Sequence, residues 1–89
     1  MKTQILTKEK IQEELIEFLC LQFYVDKEEI DLNESLVDTG IIDSMGLIEI
    51  SAYITEKYSF SISGALMTKD NFGSVEKITS FILRNINQI

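Results

Sequence analysis

The sequence contains no histidine, no proline and no tryptophan, and its one cysteine is Cys20. Without imidazole, the pairs in which histidine activates a serine or cysteine nucleophile are closed to it. One cysteine with no histidine excludes the usual zinc ligand sets and any intramolecular disulfide. Cys20 lies beside an apolar stripe and reads as a small hydrophobe rather than a reactive thiol. Basic residues are scarce as well, eight against fifteen acidic, for a net charge of −7. A surface of that sign repels phosphate backbones and anionic lipid, which argues against nucleic acid and membrane insertion and favours a basic patch on another protein. The N-terminus has no continuous apolar stretch of signal-peptide length and no membrane-length run follows, which points to the cytosol. Lacking proline, the chain leaves its helix boundaries to glycine and capping residues.

What is present is periodic. A chain of 89 residues buries one core and not two, so residues 1–89 read as a single domain. Between Thr7 and Phe23, Ile11, Leu15, Phe18, Leu19 and Phe23 recur at helical spacing behind Thr7 as N-cap. Ser44 to about Tyr58 carries two stripes, Leu47, Ile50, Ile54 and Tyr58 on one and Met45, Ile48 and Ala52 on the other. Both cannot face one core, so one looks outward. Ser74 caps a last helix through about Asn87, with Val75, Ile78, Phe81, Ile82 and Ile86 on its buried face.

The segments between are less regular. Residues 24–43 have no sustained period, yet Ile30, Leu32, Leu36, Val37, Ile41 and Ile42 are too many apolar groups to leave wet. This loop is expected to pack across the helices, with a short turn near Asn33 to Val37 and a left-handed turn at Gly40. Ser59 to Gly73 reads as a loop holding at most one short helix. The fold class is all-α: a small four-helix bundle of three main helices, one short helix and a long first loop.

Asp31-Leu32-Asn33-Glu34-Ser35 hints at a calcium loop, but Leu36 stands where the turn needs glycine and Ile42 where a carboxylate is needed, so no metal site is expected. No carboxylate pair is singled out for acid–base work. What remains is Ser44, where an irregular apolar loop meets a helix start, in Asp38-Thr39-Gly40-Ile41-Ile42-Asp43-Ser44-Met45-Gly46-Leu47. On local grounds alone, Asp43 caps the helix and Ser44 is its first residue.

The run Asp38 to Glu49 closely resembles the modification motif of acyl and peptidyl carrier proteins, in which an aspartate, a glycine and two apolar residues precede Asp-Ser-Leu or Asp-Ser-Met at the second helix. Asn71-Phe72-Gly73-Ser74-Val75 resembles the opening of that family's last helix, and the first helix and long loop also fit. The resemblance implies an acyl-carrier-protein-like fold and a free-standing carrier rather than an enzyme. It implies 4'-phosphopantetheine taken from coenzyme A, esterified to Ser44 by a phosphopantetheinyl transferase, with the cargo held as a thioester. Matching positions make Asp43, Met45, Ile48, Glu49, Ala52 and Glu56 the surface that partners read. Gly46 costs a helix interior about 1 kcal/mol relative to alanine, and either lets a partner approach closely or is merely tolerated. The implied partners are that transferase, an acyl- or aminoacyl-loading enzyme and a downstream acyltransferase or synthase, met by a monomer. Asp43-Ser44-Met45-Gly46 is similar to D-alanyl and other aminoacyl carriers, and Tyr53 stands where the family position is often small, so the expected cargo is short or polar. The competing reading is a helical interaction module with this fold and no modification.

Overall fold

Thr7 starts the first helix: its backbone is extended and its Oγ1 accepts the Lys10 N–H at 3.2 Å. The structure, a computed structural model, describes residues 7–86. Those residues form α1 (Lys8–Phe23), α2 (Ser44–Tyr58), the single-turn α3 (Lys69–Phe72) and α4 (Val75–Ile86), with 3₁₀ turns at Lys27–Glu29 and Gly64–Leu66. There is no strand among the described residues, and no described helix is long and apolar enough to cross a membrane.

On α1 the stripe Ile11, Leu15 and Leu19 is fully buried. The adjacent stripe meets α2 rung by rung. Glu14 pairs with Lys57 at 3.1 Å, Phe18 stacks on Tyr53 with centroids 4.2 Å apart, and Gln22 donates to Glu49 Oε1 at 3.1 Å. Each step of four forward on α1 is a step of four back on α2, so the two helices lie antiparallel. α4 packs closely against α1 and α3, and an ion pair between Lys8 and Glu76 joins the starts of α1 and α4. Ile50 and Ile54 of α2, Phe72 of α3, and Val75, Ile78, Phe81 and Ile82 of α4 complete the helical part of the core. Each such side chain contributes about 1.5–3 kcal/mol by leaving water.

The first loop is part of that core. Leu36 and Ile42 are buried, whereas Ile30, Leu32 and Ile41 are half-buried. Val37 departs from expectation: it remains 42% exposed next to the buried Leu36. The backbone shows why the loop holds its path. Leu36 N–H donates to Gly73 C=O at 3.0 Å, Glu76 N–H to Leu32 C=O at 2.9 Å and Ile42 N–H to Leu36 C=O at 3.2 Å. The turn near Asn33 to Val37 is present, closed by Asp38 N–H on Ser35 Oγ at 3.0 Å, and Gly40 is left-handed at φ +82°. The 3₁₀ turn at Lys27–Glu29 is an addition, held by Asp26 N–H on Glu29 Oε1 at 3.3 Å.

Ser74 caps α4, its Oγ accepting the Lys77 N–H at 3.2 Å. Asn87, the expected last residue of that helix, lies outside the described residues. Glycine does not end the other two long helices. α1 stops at Tyr24 and α2 at Ser59, both left-handed, with φ of 58° and 62°. L-residues adopt that conformation at a cost of roughly 1 kcal/mol, which packing on either side has to offset.

Candidate functional site

Asp43 has an extended backbone, and its Oδ1 accepts the Gly46 N–H at 2.9 Å while its carbonyl accepts Leu47 N–H at 3.3 Å. One residue closes the first turn of α2 from both its side chain and its backbone. Ser44 is therefore the first helical residue, as expected, and its side chain is exposed. The first turn of α2 holds no acidic side chain, so the positive end of the helix dipole is opposed only by the Asp43 cap.

Beyond Ser44 the second stripe faces outward. Met45 is 63% and Ile48 54% exposed, and Ala52, Glu49 and Glu56 share their exposure. Spacings of three and four put these residues on one side of α2, running away from Ser44. Six residues singled out from the sequence, Asp43, Met45, Ile48, Glu49, Ala52 and Glu56, are thus all on the surface of one helix and its cap. Two large apolar side chains, Met45 and Ile48, are thus left wet beside an exposed serine.

The charges along that helix are sorted. Lys57, which would dilute its acidity, is drawn toward α1, where it pairs with Glu14. Glu56 makes no ion pair among the described residues, and Glu49 is steadied by the neutral amide of Gln22. The outward face therefore stays acidic.

Tyr53 and Tyr58 fill the seam between α1 and α2. Burial pushes the Tyr58 phenol up to about 12, with the Glu14 carboxylate adding to the effect, and its hydroxyl is buried without a hydrogen-bond partner. Burial likewise holds the Tyr53 phenol above its usual range, aided by Tyr58, Glu14 and Glu17. Both rings stay neutral and act as packing.

Gly46 is the exception among the residues flagged from the sequence. It is buried, and the close approach is made from inside by Ile42 and Phe23 rather than by a partner. The signal that could have revealed this is the bulk of Ile42 just before the Asp43 cap, four residues ahead of Gly46. Two further exposed apolar residues, Leu21 and Tyr24 at the end of α1, carry no sequence signal of exposure.

Residues 13–82 match the family model described as the phosphopantetheine attachment site.

Proposed function

The chain belongs to the phosphopantetheine attachment-site family of acyl and peptidyl carrier proteins, and from that premise we propose that Ser44 is the residue that takes the arm. The family comprises non-catalytic carriers to which 4'-phosphopantetheine is covalently bound. The observation that supports Ser44 is its place: an exposed hydroxyl at the first position of α2, immediately behind the Asp43 cap.

The residues fit the group. A phosphate ester needs a hydroxyl that another enzyme's active site can reach, and Ser44 is exposed. A diester anion attached there would be favoured by the positive end of the α2 dipole, which Ser44 occupies as the first helical residue. When bound, the arm supplies a terminal thiol that holds the cargo as a thioester. The chain has no histidine to activate Ser44, so the attachment is left to a separate transferase. Asp43 fixes the turn from which Ser44 projects, and Met45, Ile48 and Ala52 with Glu49 and Glu56 offer an apolar strip with acidic flanks to a basic, partly apolar partner surface. The whole chain then acts as one carrier domain.

Incubation with coenzyme A and a broad-specificity phosphopantetheinyl transferase should add one arm, read by intact mass and placed on Ser44 by peptide mapping. A correctly folded protein that no transferase modifies would instead be a binding module.

Recognition has its own test. Glu49→Lys should lower the kcat/KM of arm transfer several-fold at low salt, and the gap should close as salt is raised, because exposed charges are screened over about 8–10 Å near physiological ionic strength. Equal rates for the variant and the wild type across the salt range would leave Glu49 as a solvated residue.

We further propose a short or polar cargo, of the aminoacyl kind. The Tyr53 ring lies flat against Phe18, 14° from parallel, and fills space in the α1–α2 seam that a long chain lodged there would need. Loading the arm with an aminoacyl group and with a long fatty acyl group, and comparing amide shifts, tests this. Shifts confined near Ser44 in both cases are expected; deep perturbation at Leu47, Ile50 and Tyr53 by the fatty chain would overturn it.

A further inference from the structure

Gly46 sits in a tight seat. A Cβ placed on it would come within 2.8 Å of Ile42 Cβ and within 3.1 and 3.3 Å of Phe23 Cε1 and Cζ. The first distance is shorter than any tolerated carbon–carbon contact, and the atom met is a Cβ, which cannot swing aside as a side-chain tip would.

Neither neighbour is free to give. Ile42 is buried, its N–H is bonded to Leu36 C=O at 3.2 Å, and Leu36 N–H is in turn bonded to Gly73 C=O at 3.0 Å, at the junction of α3 and α4. The Phe23 ring stands edge-on to Phe18, with interplanar angle 89°, and Phe18 is stacked on Tyr53. Both walls of the seat are anchored in other parts of the core. The element left to yield is the first turn of α2, and that turn carries Ser44 and receives the Asp43 cap on the N–H of Gly46 itself.

We propose that Gly46 is a positioning residue, size-matched to Ile42 and Phe23, which seats the first turn of α2 so that Ser44 is presented in the orientation the transferase requires. This rests on the reading that Ser44 takes the arm. It makes the glycine a requirement of the site's geometry, since helix propensity by itself would favour alanine there. The change expected from a methyl group at this position is a tilt of the α2 start away from Ile42 and Phe23, with Ser44 moving along with it.

The test uses Gly46→Ala, the double variant Phe23→Leu,Gly46→Ala, which removes the ring atoms crowding the seat, and Ile78→Val on α4 as a core variant remote from the site. Gly46→Ala should lose about tenfold or more in the kcat/KM of arm transfer, the scale on which small misplacements of a reacting group act. Amide hydrogen exchange at residues 44–47 should quicken with it. The double variant keeps the Ile42 contact but opens the Phe23 side of the seat, which gives the turn room to shift, and should recover part of both; Ile78→Val should lower stability without changing either. Transfer by Gly46→Ala at the wild-type rate, a similar rate loss in Ile78→Val, or no recovery in the double variant would overturn the proposal. If Gly46→Ala does not fold, the double variant carries the test: a folded protein with measurable arm transfer supports the seat, and failure to fold refutes the match to Phe23. A wild-type protein that takes no arm on Ser44 would count against the attachment reading alone, because the exchange comparison needs no arm and still decides the seat.

Discussion

Ser44→Ala is expected to remain folded and to take no arm at all. The reasons are separable. Ser44 is exposed, it is not the residue that caps α2, and none of the hydrogen bonds that fix the loop or the first turn uses its hydroxyl. Alanine is the strongest helix former, so stability should change by no more than about 0.5 kcal/mol. The loss of modification should be complete, because no other serine shares its setting. Only Ser44 opens an α-helix: Ser35, Ser59, Ser61 and Ser63 lie in loops, Ser51 and Ser80 lie inside α2 and α4, and Ser74 is itself a cap whose Oγ accepts the Lys77 N–H. Intact mass after incubation with coenzyme A and transferase, alongside a denaturant melt, decides both halves. Arm addition to the variant would move the attachment elsewhere, and a collapsed melt would make Ser44 a structural residue.

That contrast between a local role and a global one also marks how far the sequence could be read. The starts of the three long helices were legible because each is announced by a residue whose side chain bonds the turn it begins: Thr7, Asp43 and Ser74. The outward stripe of α2 was legible too, since a helix with two apolar faces and one core has to leave Met45 and Ile48 on the surface. Where contacts join distant parts of the chain, periodicity is silent. Leu36 is buried and Val37 is not because Leu36 is pinned to Gly73, a pairing no local pattern encodes. The left-handed ends at Tyr24 and Ser59 had no glycine to signal them. Tyr53 could have faced water or core, and its stack on Phe18 one helix away decides the matter. Gly46 belongs to the same class: its surroundings come from the end of α1 as well as from its own loop.

The first loop gives the second large effect. Leu36→Ala should destabilise the protein by about 2–5 kcal/mol, the range for emptying a buried leucine site, although the residue belongs to no helix. Leu36 is only 1% exposed, its N–H is bonded to Gly73 and its carbonyl accepts both Ile42 N–H at 3.2 Å and Thr39 Oγ1 at 3.3 Å. Truncation leaves those backbone bonds possible but removes the side chain that holds the loop against the helices, so the cavity and the loosened turn act together. Against a typical total stability of roughly 5–15 kcal/mol, such a loss would be visible as a large shift of the denaturation midpoint. Val37→Ala, one residue on and 42% exposed, is the internal control and should cost well under half as much. The consequence reaches the site, because Leu36 is the link through which Ile42, and with it the Asp43 cap and Ser44, is fastened to the junction of α3 and α4. Faster amide exchange at residues 42–47 in Leu36→Ala, under conditions where the bundle is still folded, would show that linkage. Equal midpoints for the two variants would mean that the loop lies on the bundle without belonging to its core, and that Ser44 is held by its own helix alone.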